Sequence, residues 1–308
     1  MTEGRAGDAP LAGGVDLGGT KIEARLFAGD GLDTVETRRV PTPRDFAAMI
    51  AALADAAAWL RGRAGDPALP VGLALPGTLD LAAGTCRAAN LPDGGGPVGA
   101  ALAAAAGAPI PLLNDAAAFA LSEAHGCPPG AGRVLGLILG TGLGAGMAAG
   151  SEGRRTARSL EVGHLGMPAR ALARHGLPPL PCGCGRVGCV ETYLSGPGLA
   201  ALAQRVLGRP LPAQTMAIGD PGAKEVLALW TDLAGEGLSA VPALLAPDLI
   251  VLGGGLSNMP GIAERLSDGL ARHLLPGAAL PAIRLAAHGD SSGARGAALV
   301  ALGKAAPC

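Results

Sequence analysis

The sequence predicts an α/β protein with a duplicated architecture, and two observations support that prediction. Short apolar runs with the period of a β-strand alternate along the chain with segments whose apolar residues have helical spacing. A unit of strand, glycine turn and strand near the start is repeated about 120 residues later. Strands that alternate with helices indicate layers of sheet and helix packed on a common core.

The first predicted element is a hairpin with a glycine tip at residues 18–20. Its first strand covers residues 14–17 and its second covers residues 21–28. In the second strand apolar residues alternate with charged residues, which is typical of a strand with one buried face. The repeat of this unit has a strand over residues 134–139, a glycine turn over 140–144 and a second strand over 145–149.

Helices are predicted between and after the hairpins. Thr42 and Pro43 form a cap and first-turn pair for a helix whose apolar residues run from 46 to 60. Asn114 follows a short strand and is placed to cap an alanine-rich helix over residues 115–124. The other predicted elements are strands over residues 71–75 and 249–252 and a helix over 260–270.

Composition excludes several kinds of partner. The net charge is -1 and six residues are aromatic, so the chain has neither a basic excess for a phosphate backbone nor a stacking platform for bases. No uninterrupted apolar run reaches the roughly 20 residues of a membrane span. Residues 1–14 contain no apolar segment of a signal peptide. We therefore expect a cytoplasmic protein of about two domains, without nucleic-acid or membrane partners, whose core is Ala, Leu and Val.

The strongest local signal is a cysteine- and glycine-rich loop. Cys182, Cys184 and Cys189 are separated by glycines that let three thiolates converge, as in a zinc knuckle. His164 is the candidate fourth ligand, and His175 is the alternative because it is closer in sequence. A redox-active thiol trio is the other interpretation of the pattern. The cysteines expected to be inert are Cys86, Cys127 and Cys308.

Three glycine turns follow buried strands, and their backbone N–H groups suit phosphate oxygens. They are the first glycine turn (residues 18–20), the second (140–144) and the third (253–255). The chain has neither a Walker A sequence nor a G-x-G-x-x-G before a helix, which disfavours P-loop and Rossmann folds. Asp16, beside the first glycine turn, is placed to reach magnesium directly or through water. A satisfied hydrogen-bond network is the alternative role for this aspartate.

Carboxylates are the candidates for acid–base chemistry. Asp115 lies in the first turn of its predicted helix, where the macrodipole favours the charged form by roughly 0.3 to 1 kcal/mol. An ionised carboxylate can accept a proton, although a plain first-turn aspartate is the simpler interpretation. Glu161 and Glu191 flank the presumed zinc site, which would aim them at a common pocket. Otherwise both are ordinary surface glutamates.

Taken together, these motifs resemble the ROK family of sugar kinases and related repressors over residues 13–302. The motifs that carry the resemblance lie at residues 16–21, 114–116, 139–142, 161–164, 182–191 and 252–257. The resemblance implies the actin-like ATPase fold, in which two lobes built on ribonuclease-H-like sheets hold nucleotide and sugar between them. The expected small lobe is 1–113 with a C-terminal helix over 289–308, and the large lobe is 114–288. A homodimer is also implied.

The resemblance also implies a role for each motif residue. Asp115 corresponds to the general base that takes the proton of the sugar's primary hydroxyl as it attacks the γ-phosphate of MgATP. The implied sugar-contacting residues are Asn90, Asn114, Glu161, His164 and Glu191. The implied nucleotide-contacting residues are Asp16, Gly18, Gly19, Thr20, Lys21, Thr141, Gly142, Gly253, Gly254 and Gly255. The implied zinc ligands are His164, Cys182, Cys184 and Cys189. The cofactors would be ATP, Mg²⁺ and an architectural Zn²⁺, with the histidine binding zinc through one ring nitrogen and sugar through the other.

Three departures from the family pattern concern the sugar pocket. Ala117 stands where the family usually has asparagine, Leu160 stands where it has glycine, and the loop over residues 142–161 is about two residues shorter. Residues 88–92, 256–258 and 273–276 resemble N-acetylglucosamine kinases, whereas residues 41–45 and 288–293 resemble fructokinases. We expect phosphorylation of the 6-hydroxyl of N-acetylglucosamine, with fructose, mannose or glucose as the alternatives.

Two other functions have to be weighed. ROK repressors read DNA with an N-terminal winged helix-turn-helix of about 70 residues, whereas here the first phosphate motif begins at Asp16. A sugar sensor that has lost catalysis is the second alternative. The presence of Asp16, Asp115 and the glycine turns favours an enzyme over both.

Overall fold

The computed structural model describes residues 10–127, 131–151, 155–209, 211 and 222–307. The chain forms two compact units, one of residues 1–128, 146–159 and 290–308 and the other of residues 129–145 and 160–289. The division into lobes expected from the family resemblance stays a prediction. Within the described ranges, no helix is long and apolar enough to span a membrane.

Strands and helices alternate through both units, so the α/β prediction is confirmed. The strands are β1 (Pro10–Leu17), β2 (Lys21–Ala28), β3 (Asp33–Pro41), β4 (Val71–Leu75), β5 (Thr78–Asp80), β6 (Thr85–Arg87), β7 (Gly95–Gly96), β8 (Leu112–Asn114), β9 (Arg133–Leu139), β10 (Leu143–Ala149), β11 (Arg155–Leu160), β12 (Leu249–Gly253), β13 (Ala282–Leu285) and β14 (Ala305–Pro307). The α-helices are α1 (Phe46–Ala64), α2 (Val98–Ala106), α3 (Asp115–Ala124), α4 (Ala169–Arg174), α5 (Glu191–Leu194), α6 (Gly196–Leu207), α7 (Ala223–Leu238), α8 (Ala240–Leu245), α9 (Ile262–His273) and α10 (Ser292–Ala301).

The two larger sheets repeat one topology. The first has the order β3-β2-β1-β4-β8, and the second has the order β13-β12-β9-β10-β11-β14. Counted along the chain, each contains the strand order 3-2-1-4-5, and β14 is an addition at the edge of the second sheet. In the first sheet β1 is antiparallel to β2 and parallel to β4, and β4 is parallel to β8. The predicted duplication is therefore confirmed.

Local sequence explains how the helices begin. Asn114 caps α3, since its side chain accepts hydrogen bonds from the backbone N–H groups of Ala116 and Ala117. The prediction that Thr42 caps α1 is wrong. The cap is Asp45, whose carboxylate accepts from the Ala48 N–H at 2.8 Å. Thr42 is instead used in the first glycine turn.

The core of the first unit is aliphatic, as composition predicts. Helix α10 packs directly on β1, since a Cβ atom added at Gly14 would lie 1.8 Å from the carbonyl oxygen of Ala294. Three aromatic side chains add to the aliphatic core. Phe27 is fully buried in the first unit, and Tyr193 and Trp230 are fully buried in the second.

The expectation that the charged side of β2 is exposed has to be corrected. Glu23 is on the charged side of the alternation, but its side chain is only 2% exposed. The carboxylate is buried because three cations surround it, Lys21, Arg25 and Arg39. A buried carboxylate requires such partners, and one of them, on β3, is distant in sequence.

Candidate active site

In the first unit the predicted site residues lie at one edge of the sheet. Strands β1, β4 and β8 run parallel, so their carboxyl ends meet at the same edge. Asp16 is near the end of β1, and Asn114 ends β8 immediately before Asp115. In open α/β sheets ligands bind outside the carboxyl ends of the strands. The fold thus brings these residues to the kind of position where a substrate binds.

Asn114 and Asp115 are held by the start of α3. The Asn114 side chain donates to the carbonyl oxygen of Gly77 at 2.8 Å, which ties the helix start to the residues after β4. Asp115 accepts from the Ala116 N–H through Oδ1 at 2.7 Å. Both side chains are partly buried. The carboxylate therefore has a fixed direction at a helix N-terminus, where negative charge is favoured.

Asp16 is packed in a confined position beside that carboxylate. A Cβ atom added at Gly293, in α10, would lie 2.5 Å from an Asp16 carboxylate oxygen. Burial raises the pKa of Asp16 to about 7, with further increases from the negative charges of Asp115 and Glu23. A divalent cation prefers oxygen ligands, and its charge would offset the repulsion between Asp16 and the neighbouring carboxylates. Asp16 thus fits the magnesium role that the sequence predicts.

The first glycine turn is supported by a residue that sequence analysis assigned elsewhere. Thr42 donates through its hydroxyl to the carbonyl oxygen of Gly18 at 2.7 Å, and its N–H donates to the carbonyl oxygen of Thr20 at 3.0 Å. Asn90, a predicted sugar contact, packs on the turn, since a Cβ atom added at Gly19 would lie 2.9 Å from its carbonyl oxygen. Asn90, Thr20 and Lys21 are exposed.

In the second unit the other two glycine turns are neighbours. They follow β9 and β12, which are parallel and adjacent. Gly254 has a φ of 81°, and a Cβ atom there would lie 2.4 Å from the carbonyl oxygen of Leu139, at the end of β9. Thr141 is exposed in the second turn. The second unit therefore places two glycine turns side by side at the carboxyl ends of parallel strands.

Glu191 connects the second glycine turn to the cysteine loop (residues 182–189). Its Oε2 accepts from the Leu143 N–H at 2.8 Å, and its Oε1 is 3.7 Å from the sulfur of Cys182. A Cβ atom added at Gly142 would lie 2.5 Å from Oε2, so glycine is needed for this contact. A cavity of about 360 Å³ lies here, with Thr141, Cys182 and Glu191 in its walls.

Four predicted zinc ligands converge in the second unit. One ligand atom from each of His164, Cys182, Cys184 and Cys189 lies within 4.8 Å of the others. The Cys184 and Cys189 sulfurs are 3.6 Å apart, and Nδ1 of His164 is 3.7 Å from the Cys182 sulfur. Tetrahedral zinc with ordinary bond lengths separates two sulfurs by about 3.8 Å and sulfur from nitrogen by about 3.6 Å. The donor set thus fits zinc.

His164 presents its other ring nitrogen to Glu161. Its Nε2 is 3.9 Å from the Glu161 carboxylate, on the opposite side of the ring from the cysteines. Glu161 is exposed, and Leu160 is half-buried. His175, the alternative ligand, is instead bonded through Nε2 to Asp232 at 2.7 Å. The geometry favours His164 as the fourth member of the cluster.

The cysteines expected to be inert have structural contacts. Burial, together with the negative charge of Asp115, raises the pKa of Cys86 to about 11, and its thiol donates to the carbonyl oxygen of Pro76. Cys127 donates to the carbonyl oxygen of Glu123. Both are free thiols. Cys308 lies outside the described residues.

A second cluster of metal-ligand types is occupied by cations. Asp232, Glu236 and His273 lie close enough to hold an ion. Arg174 is ion-paired to both carboxylates, and Arg170 is ion-paired to Glu236. Their charges are already offset, so this cluster is an ion-pair network of the second unit.

A family model described as the ROK family matches residues 12–304. The chain belongs to the ROK family. Its similarity to an N-acetyl-D-glucosamine kinase of Escherichia coli O157:H7 is 42% identity over 302 residues, covering 94% of this chain and 98% of the relative.

Solved structures of ROK proteins have the same fold as this ROK chain. A ROK hexokinase from Thermus thermophilus is 34% identical with a TM-score of 0.77, and the alignment covers 94% of this chain and 96% of that one. A ROK glucokinase from Streptomyces griseus, solved with glucose and AMPPNP, is 28% identical with a TM-score of 0.71 and coverage of 94% and 98%. The actin-like fold predicted from the motifs is therefore confirmed.

Three residues at the candidate site of this ROK protein were not predicted from the sequence. Thr42 bonds to the first glycine turn, Glu23 is ion-paired to Lys21 beside that turn, and Gly293 packs on Asp16. Thr42 had a weak signal, since threonine hydroxyls often bond backbone groups in turns. Gly293 had none, because its contact joins residues more than 270 positions apart.

Proposed function

We propose that this ROK protein is an ATP-dependent sugar kinase that transfers the γ-phosphate to the 6-hydroxyl of a hexose or N-acetylhexosamine, with N-acetylglucosamine as the best substrate. The observation that carries the proposal is the pair of carboxylates, Asp16 and Asp115, at the carboxyl edge of the first sheet. One carboxylate beside a phosphate turn suits magnesium, and a second suits a general base. The similarity to an N-acetyl-D-glucosamine kinase supports the choice of reaction.

The first unit supplies the acid–base and magnesium functions in this proposal. Asp115 accepts the proton of the 6-hydroxyl as that oxygen forms its bond to the γ-phosphorus, and the bond from phosphorus to the bridging oxygen breaks to release ADP. Asp16 holds the magnesium of MgATP directly or through water, and this cation offsets the phosphate charge. The first glycine turn, with Lys21, binds phosphate oxygens. The base contributes roughly 10² to 10⁴-fold of the rate.

The second unit supplies the remaining nucleotide and sugar contacts. Thr141 and Gly142 bind phosphate oxygens, and the third glycine turn receives the adenosine. Glu161, His164 and Glu191 of this unit bind sugar hydroxyl groups, and the sugar contacts proposed for the first unit are Asn90 and Asn114. Zinc, when bound by the cysteine loop and His164, supplies fixed geometry and no chemistry on phosphate. His164 would be oriented through Nδ1, so that Nε2 can bind a sugar hydroxyl.

The choice among sugars rests on similarity, with two departures in the pocket. Relatives at 42% identity act on N-acetyl-D-glucosamine by name, and the neighbouring structures include a hexokinase and a glucokinase. Ala117 is buried in α3, and Leu160 is half-buried beside Glu161. An apolar side chain at 160 suits contact with the methyl of an acetamido group better than contact with a hydroxyl. Glucose, mannose and fructose are the alternative substrates.

Coupled ADP release from MgATP tests the proposal across N-acetylglucosamine, N-acetylmannosamine, glucose, mannose and fructose. We expect ADP release that depends on the sugar, with most of the activity on a single sugar. The highest kcat/KM should be that for N-acetylglucosamine. A higher kcat/KM for another sugar would overturn the substrate while retaining the kinase. Absence of sugar-dependent ADP release from folded, zinc-loaded protein would overturn the kinase itself.

A further inference from the structure

Glu23 is a buried carboxylate shared by three cations. Its Oε1 accepts from Nε of Arg25 at 2.6 Å, and its Oε2 accepts from Nζ of Lys21 at 3.3 Å and from Nε of Arg39. Burial alone would raise the pKa of Glu23, but the hydrogen bonds from both arginines lower it. The carboxylate is therefore ionised at neutral pH and carries more cations than its charge offsets.

The sheet register places Glu23 next to the predicted magnesium residue. Asp16 on β1 is opposite Glu23 on β2, and Glu23 is opposite Arg39 on β3. Directly opposed residues on adjacent strands have Cβ atoms about 4.5–5.5 Å apart, on the same face. Asp16 and Glu23 are thus neighbouring carboxylates, with Lys21 and Arg25 one step away on either side.

The cations nearest Asp16 are bonded to Glu23 and not to Asp16. Lys21 and Arg25 both act on the charge of Asp16 from a distance. Within the described part of the chain, no hydrogen bond or ion pair joins Asp16 to a cation, while Glu23 has three ion pairs. A partly buried aspartate beside a lysine and an arginine would ordinarily pair with one of them.

We propose that Glu23 is a positioning residue that holds Lys21 and Arg25 away from Asp16, so that the Asp16 carboxylate stays open to a divalent cation. This inference rests on the proposed function, because the cation in question is the magnesium of MgATP. Glu23 touches neither substrate nor metal in this role. Without its negative charge, Lys21 or Arg25 pairs with Asp16 and competes with magnesium for the carboxylate oxygens.

The test measures how much magnesium strengthens nucleotide binding. Calorimetry gives the Kd of a non-hydrolysable ATP analogue with excess Mg²⁺ and with EDTA, and the ratio of the two Kd values reports magnesium binding without turnover. We expect E23Q to reduce this ratio by about tenfold, somewhat more than an exposed ion pair is worth, because Asp16 is partly buried. The double variant E23Q/R25M should recover most of the ratio, because Arg25, which makes the 2.6 Å bond to Glu23 and has no proposed contact with nucleotide, is then absent.

A matched control separates this role from a general loss of charge or of stability. Glu36 on β3 forms an ion pair with Arg63 and is partly exposed, so E36Q should leave the ratio unchanged. A folded E23Q protein with the wild-type ratio would overturn the inference, as would a reduced ratio that E23Q/R25M does not recover. If E23Q does not fold, E23D, whose side chain is one methylene shorter and cannot reach all three cations, should lower the ratio by a smaller amount, and a wild-type ratio in E23D would equally overturn the inference.

Failure of the inference and failure of the proposed function give different results. Wild-type protein that releases no ADP with any sugar contradicts the proposed function, whatever the variants do. Wild-type protein that phosphorylates sugar and binds nucleotide more tightly with magnesium retains the proposed function. In that case an unchanged ratio in E23Q removes only the role of Glu23.

Discussion

At the scale of single residues, a structural role and a catalytic role for Asp115 predict different effects of substitution on kcat. As a helix residue it accepts one backbone hydrogen bond, which Asp115→Asn retains. As the general base it must accept a proton, which an amide cannot do. We expect Asp115→Asn to lower kcat by roughly 10² to 10⁴-fold while sugar affinity changes by about tenfold at most. Steady-state rates and calorimetric sugar binding on the same purified variant measure both quantities.

Asp66→Asn is the matched control for this substitution. The Oδ1 of Asp66 also accepts from a backbone N–H, that of Ala68 at 2.8 Å. Asp66 is exposed and comes before β4 in the chain, so it is not at the carboxyl end of that strand. Its variant should have the wild-type kcat. An Asp115→Asn protein that retains more than about a third of the wild-type kcat would rule out Asp115 as the base.

A pH dependence of stability follows from Asp232. Although burial acts in the opposite direction, hydrogen bonds from His175, His273 and Arg174 lower its pKa to about 2. A carboxyl whose pKa is lower in the folded state stabilises the fold above its unfolded pKa of about 4, and the effect is lost as pH falls toward about 2. Urea unfolding should therefore find Asp232→Asn less stable than wild type at about pH 6, with the difference shrinking by about pH 3.

The control for the pH series is Asp55→Asn. Asp55 pairs with Arg38 but its side chain is 62% exposed, so solvent screens the pair and little stability depends on it. The free energy of unfolding of this variant should follow that of wild type at both pH values. A constant difference between Asp232→Asn and wild type from about pH 6 to about pH 2 would show that Asp232 stabilises the fold by packing instead of charge.

Which residues sequence can identify depends on where their partners are. Asn114 and Asp115 were predicted because a cap and the groups it binds are adjacent in the chain. Glu23 could not be recognised as buried, because Arg39 reaches it from another strand. Asp232 on α7 likewise has partners on two other helices, with Arg174 and His175 at the end of α4 and His273 at the end of α9. Long-range charge pairing leaves no local pattern.

At the scale of an element, the cysteine loop predicts a metal content. The loop has little apolar core of its own, and Cys184 and Val187 are exposed. Structural zinc contributes roughly 10 to 16 kcal/mol in small peptides, enough to order such a loop. We expect elemental analysis to find about one zinc per chain, bound by His164, Cys182, Cys184 and Cys189.

Two variants extend the zinc prediction. Cys184→Ser should lose the zinc and lower the melting temperature, whereas Cys127→Ser, which changes a thiol that donates to the carbonyl oxygen of Glu123, should keep the zinc. If protein purified without chelator is folded and active but holds less than about a tenth of an equivalent of zinc, the site is not a zinc site.

Elements were predicted best where the pattern is local and repeated. Both hairpins, the strand β4 and the helix α3 are found where alternation and capping placed them. The helix expected over 260–270 is α9 (Ile262–His273), which begins two residues later than predicted. It is preceded by a 3-10 helix over residues 255–258. Thr42 was misassigned because the residue types that cap helices also anchor turns, and only the fold decides between these uses.

At the scale of the whole molecule, duplication explains where the chemistry lies. Each larger sheet has the strand order 3-2-1-4-5, and in both units the proposed phosphate contacts follow the carboxyl ends of parallel strands. Sequence predicted this repeat from two glycine turns. Sequence could not predict which sugar fits, because Ala117 and Leu160 depart from the residues usual in the family at positions proposed to line the sugar pocket.

Identification of the product is the most direct test of the proposed reaction. Purified protein incubated with MgATP and N-acetylglucosamine should yield ADP and a sugar phosphate in equal amounts, and phosphorus NMR with mass spectrometry should identify the ester as the 6-phosphate. Asp115→Asn under the same conditions should yield little of either. ADP formed without a sugar phosphate, or a phosphate at another hydroxyl, would contradict transfer to the 6-hydroxyl by Asp115.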